Sequence, residues 1–161
     1  MKKYELTEET VTVYGKTLYR IRAVRDFGSV KTGEFGGYIE KEENLSHFGN
    51  AWISGDARVS GDARVYGNAW VYGDARVFGN AEVFNTRHFF VQGPIGSRDG
   101  YVTFYRTKDD TVEVRCGCFS GSLQKFVDRV EETHGGSRYE KEYKLAAELA
   151  KVCIRLEGES R

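Results

Sequence analysis

The chain has 161 residues, 40% of them hydrophobic, with 24 basic residues set against 24 acidic ones. That length supports one ordinary domain or two small modules with a buried core. The charges are balanced along the chain with no segregated basic arm, which argues against wrapping of an extended nucleic-acid duplex, and no run approaches the roughly 18 apolar residues of a membrane span.

Residues 1 to 48 open with MKKYELTEETV, which lacks the apolar run of a secretory signal. TVTVY (Thr10 to Tyr14) and TLYRIRAV (Thr17 to Val24) alternate like strands, with Gly15-Lys16 as the expected hairpin turn. Further turns are expected at Asp26-Phe27-Gly28 and at Gly36-Gly37. The whole segment reads as an N-terminal β cap, ending in a degenerate lead-in hexad, ENLSHF (Glu43 to Phe48). His47 lies 18 residues before Val65, which would place it in an inward slot at the end of the repeat.

From Gly49 the chain reads GNAWIS, GDARVS, GDARVY, GNAWVY, GDARVF and GNAEVF without an insertion. Glycine with Asn or Asp suits a corner. The alanine and the Val or Ile of each unit are two residues apart, so in a strand both face inward. The pattern resembles that of left-handed parallel β-helices, in which three such units make one triangular turn, so the resemblance implies a short β-helix of two coils over residues 49 to 85 in which residues 18 apart stack. That offset pairs Trp52 with Trp70, Arg58 with Arg76, Arg64 with Glu82, Ser54 with Tyr72, Ser60 with Phe78 and Tyr66 with Phe84 on the outside. Stacked Arg58 and Arg76 repel unless an anion or carboxylate lies nearby.

Residues 86 to 161 predict a small α+β module. Its expected strands are His88 to Gln92, Tyr101 to Thr107 and Thr111 to Cys118, with a turn at Lys108-Asp109-Asp110. Leu123, Phe126, Val127 and Val130 have helical spacing ending at Gly135-Gly136. Ser137 with Glu140 reads as a capping box opening a second helix, with Tyr139, Tyr143, Ala147, Ala150 and Ile154 along one stripe.

Several residues are candidates for chemistry. Histidines stand at 47, 88 and 134, and none lies in the repeats. His134 falls at a helix end, where a cation offsets the dipole. Cys116-x-Cys118 offers only two of about four zinc ligands, on one strand face, so no metal is expected. The three cysteines, with Cys153, are too few and odd for a disulfide framework, which points to a reducing cytoplasm. Gly93 to Gly100 is either a connector or a loop whose amides, with Arg98, cradle a phosphate. The repeat exterior carries the densest signal: Trp52, Trp70, Tyr66, Tyr72, Phe78 and Phe84 interleaved with Arg58, Arg64 and Arg76. Such a surface is either covered by a subunit interface or the C-terminal helices, or takes a ligand whose rings stack and whose phosphates meet guanidinium groups.

The stretch DFGSVKTGEFGGYIEKEENLSHFGNAWISGDARV and the repeats after it, through residue 84, resemble bacterial and phage hexapeptide-repeat proteins. GPIGSRDGYVTFYRTK, VRCGCFSGSLQKF and ETHGG are similar to a module found beside such repeats in phage and prophage proteins. The resemblance implies a phage or mobile-element origin and action against host defences, by binding a nucleotide signal or a host protein. Hexapeptide acyltransferases, in contrast, use a catalytic histidine at a trimer cleft and a longer helix. The expectation is therefore a cytoplasmic, non-enzymatic homo-oligomer, dimer or trimer, with no cofactor, that sequesters a small anionic nucleotide-like ligand through Trp52, Arg58, Arg64, Trp70, Tyr72, Arg76 and Arg98. An inhibitor of a host defence protein, in the manner of an anti-CRISPR, is the first alternative, and an acyltransferase the second.

Overall fold

The computed structural model describes residues 1–117 and 119–157. The chain forms two compact units, Met1–Thr86 and Arg87–Arg161. Secondary structure is mainly β, and no helix among the described residues is long and apolar enough to cross a membrane.

In the first unit each hexapeptide contributes a two-residue strand. These are β4 (Trp52–Ile53), β5 (Arg58–Val59), β6 (Arg64–Val65), β7 (Trp70–Val71), β8 (Arg76–Val77) and β9 (Glu82–Val83). The glycine opening each unit has φ between 62° and 71°, a left-handed corner conformation that a side chain disfavours. Strands 18 residues apart pair in parallel: β4 with β7, β5 with β8, β6 with β9. The six repeat alanines are fully buried, and Ile53 and the five repeat valines are at most 1% exposed. The two-residue spacing thus places a dry seam of small and β-branched side chains inside and sends Trp, Arg and Glu outward.

The segment before the repeats closes its first layer by three different means. β1 (Tyr4–Val13) and β2 (Lys16–Ala23) form an antiparallel hairpin, and β3 (Phe35–Ile39) pairs with β2 on one side and in parallel with β5 on the other, giving a sheet ordered β1-β2-β3-β5-β8. Over β5 the cap is backbone: the amides of Tyr38 and Glu40 donate to Ala57 O and Val59 O. Over β6 it is half side chain. Ser46 N donates to Val65 O, and buried Asn44 sends Nδ2 to Ala63 O (2.8 Å) and Gly61 O (3.1 Å). Beside β4 it is a lysine: fully buried Lys3 donates from Nζ to Ala51 O at 2.6 Å, over the Phe27 ring. Burial, with Arg25 nearby, holds that ammonium far below the usual lysine value, at about 8.

Four expectations for the cap need correction. The hairpin turn is Tyr14-Gly15, both at positive φ, rather than Gly15-Lys16, and β1 runs back to Tyr4, pairing with β2 through a register shift between Leu6 and Thr10. Gly36-Gly37 is not a turn but the middle of β3, where an added Cβ would lie 2.5 Å from Ile53 O at Gly36 and 2.5 Å from Ala57 O at Gly37. The layer offset is 20 before the repeats, since Tyr38 pairs with Arg58 and Leu45 with Val65. Leu45 therefore takes the slot expected for His47. His47 instead stacks on Tyr4 at 4.1 Å, its Nδ1 accepting from Lys3 N and its Nε2 meeting Glu42.

The second unit is an antiparallel sheet of β10 (Phe89–Ile95), β11 (Gly100–Arg106), β12 (Val112–Cys116) and β13 (Phe119–Ser122), with α1 (Leu123–His134) and α2 (Arg138–Cys153). Phe104, Val114, Phe126, Val130, Ala147, Ala150 and Ile154 make its core. The helical spacing reads α1 correctly. β13 is missed because FSGS carries no alternation. The capping box does not form: Ser137 Oγ donates back to His134 O at 2.6 Å, and Glu140 accepts from Gly136 N instead.

Candidate functional site

The outward side chains fall into three separate ladders, one per sheet. Trp52 over Trp70 belongs to the β4-β7 sheet, Arg64 over Glu82 to β6-β9, and Arg58 over Arg76 to the five-stranded sheet. The single aromatic and arginine surface expected from the sequence is thus divided. Trp52 leaves the set of contact residues, because the cap covers it: it is 2% exposed and packs edge-on to Phe27 at 5.2 Å. Trp70 is half-buried, and Tyr72, after it on the chain, is 49% exposed.

The arginine ladder extends into the cap. Across the five-stranded sheet, Arg20, Tyr38, Arg58 and Arg76 sit in successive register, at the roughly 4.8 Å spacing of adjacent strands. At the cap end the charges are satisfied. Arg20 Nη1 donates to Glu9 at 2.8 Å, Arg20 Nε to Gly36 O, and Tyr38 OH to Glu9 at 2.9 Å. The hydrogen bond from Arg20, then that from Tyr38, holds the Glu9 carboxyl below its usual range. In the middle of the row the situation differs: Arg58 Nε is buried with no hydrogen-bond partner. Arg20 and Tyr38 were not found from sequence, because the 18-residue offset that locates ladder mates becomes 20 in the cap.

On the third ladder the Arg64 guanidinium lies 5.6 Å from the Tyr66 ring centre, Tyr66 stacks on Phe84 at 5.1 Å, and the Tyr66 hydroxyl hydrogen-bonds Glu82 at 3.2 Å. The Tyr66 and Phe84 pair is the one the 18-residue offset predicts.

In the second unit the glycine-rich stretch is made of two strand ends and the turn between them. Gly93 to Ile95 belong to β10 and Gly100 to β11, leaving a tight hairpin turn whose Gly96 amide donates to the Glu142 carboxylate at 2.7 Å. A carboxylate thus already accepts from the Gly96 amide, and Arg98 is an exposed side chain on that turn. Burial, then the Arg106 charge, pushes His88 down to about 4, while Arg106 itself is clamped by Asp110 at 2.9 Å. His134 ends α1 and packs on Tyr139 and Tyr143. Cys116 hydrogen-bonds Tyr143, whose hydroxyl is raised to about 12, mainly by burial. Cys118 lies outside the described residues.

A family model described as YdcK beta solenoid repeat matches residues 51–67 and again 57–73. The segment is therefore similar to a β-solenoid repeat, in agreement with its parallel pairs and buried seam. No curated protein matches the chain.

Proposed function

We propose that this chain is a non-enzymatic binding protein that takes a small anionic, nucleotide-like ligand against the Arg58 and Arg76 ladder. The observation that carries the reading is the buried, unpartnered Arg58 Nε beside a second guanidinium in register. A buried donor without an acceptor costs stability, as do like charges stacked directly, and one phosphate would relieve both. The three ladders support a repeat closed into two left-handed coils. On such a prism the Trp70 and Tyr72 rings lie on the face next to the arginines. A homodimer or trimer would cover exposed Tyr72 and could bring the rings of one copy to the arginines of another, with the base stacked and the phosphate on guanidinium. The likeness to phage hexapeptide-repeat proteins supports a phage-encoded protein of the host cytoplasm that removes a nucleotide defence signal.

Isothermal titration with a panel of cyclic and linear nucleotides tests this, run on wild type, Arg58→Ala, Arg76→Ala and Arg98→Ala. Loss of either ladder arginine is expected to cost roughly 1.5 to 3 kcal/mol, or one to two orders of magnitude in affinity. Arg98→Ala is expected to matter less, since its loop is already engaged by Glu142. No heat with any nucleotide would move the reading to direct blocking of a host protein. Light scattering checks the assembly: the 18.3 kDa monomer mass at micromolar concentration would remove the shared-site geometry.

A further inference from the structure

A hollow of about 660 Å³ opens beside β6, between the segment 41–48 and the strand. Its origin lies in the cap. Leu45 pairs with Val65, so the ladder position above Arg64 belongs to Asn44, yet Asn44 is fully buried with its amide turned onto Gly61 O and Ala63 O. Asn44 thus sends no side chain outward above Arg64, and the outward ladder stops one layer short.

The charges around the hollow are almost all spent. Lys41 is held by Asp62 at 3.4 Å, and His47 and Lys2 meet Glu42 at 3.0 and 3.4 Å. The His47 Nδ1 accepts from a backbone amide, which leaves its Nε2 as the donor to Glu42. Arg64 differs: among the described residues its guanidinium has the Tyr66 ring face and no carboxylate partner. On the other side stands Phe48, 81% exposed, an apolar ring with every reason to be covered. An arginine, a tyrosine and an uncovered phenyl ring thus line one concavity of the size that holds small molecules.

We infer that this hollow is a binding site for a mononucleotide, a planar ring carrying an anionic group, with the ring against Phe48 and the anion on Arg64. The ligand class rests on the reading above, whereas the residues are different, so either site can fail alone. Three carboxylates also line the hollow; Glu42 and Asp62 are paired with Lys2 and Lys41, which leaves Glu43 as the one whose charge most opposes the anion.

Calorimetric titration with AMP, GMP, CMP and UMP, and with inorganic phosphate, decides the matter. Arg64→Ala and Phe48→Ala are each expected to weaken mononucleotide binding by roughly tenfold or more, and Glu43→Gln to tighten it. In an Arg58→Ala/Arg76→Ala double variant the binding event at the arginine ladder is expected to be lost, while a separate event that depends on Arg64 and Phe48 remains. Arg64 and Phe48 are exposed, so unaltered melting curves will show the variants folded. Mononucleotide binding lost only in the double variant overturns the hollow and leaves the arginine ladder standing. Phosphate binding that depends on Arg58, with no mononucleotide bound elsewhere, does the same. Absence of heat from every probe overturns both.

Discussion

The repeat and the cap solve one problem in opposite ways. In the repeat, every layer gives its backbone groups to the next, so alanine, valine and glycine suffice and the same six letters recur. The cap has no further layer above it and must finish three ladders once. It uses a strand over β5, an asparagine amide over β6 and a buried lysine beside β4. A periodic element can be built from apolar residues alone, but its end requires polar side chains shaped like the missing backbone.

The largest expected effect falls on the seam. Val65, 1% exposed, lies between Leu45 and Val83, so Val65→Asp puts an unpaired charge into a dry interior. Soluble folded protein should be lost, as read by circular dichroism and by recovery of soluble material. A Val65→Asp protein melting like wild type would mean that the repeat does not bury what its spacing says it buries.

Next comes the cap. Asn44 makes four hydrogen bonds, giving two from Nδ2 and accepting at Oδ1 from the amides of Glu40 and Lys41. Asn44→Ala should cost roughly 2 to 4 kcal/mol in urea unfolding, because buried carbonyls lose their donor. Asn44→Asp should cost more, since a carboxylate facing Gly61 O and Ala63 O repels where the amide attracted. Equal losses in the two variants would assign Asn44 a packing role and remove the contrast between cap and repeat.

How much of this was legible follows the same division. The repeat could be read residue by residue: the alanine and valine slots, the corner glycines and the pairs Trp52 with Trp70, Arg58 with Arg76, Arg64 with Glu82 and Tyr66 with Phe84 all follow from the six-residue period. The cap could not. Asn44 and Lys3 look like surface residues in the sequence, and only the loss of the 18-residue offset, which becomes 20 at Leu45, reveals that they face carbonyl groups. The site suffered for the same reason. Arg58, Arg64 and Arg76 were found by period, but whether they shared a surface depended on which of three ladders each joined. Tyr38 and Arg20, and the hollow left by Asn44, belong to the part with no period.

Lys3 gives a pH test of intermediate size. Its native value of about 8 lies below the model-peptide value of 10.5. Below pH 8 the lysine is charged in both states and the cost of burying that charge is fully present. As pH rises through 8 the native state releases its proton first, the unfolded state holds more protons, and stability increases until about pH 10.5. Above pH 10, Tyr4 works the other way, because burial raises its value and the unfolded phenol ionises first. The unfolding free energy should therefore rise between pH 8 and 10, by on the order of 2 kcal/mol. In Lys3→Met that rise should be missing. A wild-type profile flat over this window would show that the Lys3 ammonium is solvated and is not the partner of Ala51 O.

The smallest effect is expected at the arginine ladder, and there the small size is itself informative. In the empty protein Arg58→Ala removes a buried donor that has no acceptor and a like charge stacked on Arg76, so the loss of packing along the side chain is offset. Stability should change by no more than about 0.5 kcal/mol, in contrast to Asn44, whose donors are all used. Adding phosphate separates the two kinds of buried polar group. At ten times its dissociation constant, a bound anion stabilises by about 1.4 kcal/mol, or roughly 2 to 4 °C in melting temperature for each kcal/mol in a chain of this length. Wild type and Asn44→Ala should both gain that increment, whereas Arg58→Ala should not. If Arg58→Ala gains as much as wild type, phosphate is held elsewhere, and the Arg58 row is a surface whose strain the fold tolerates.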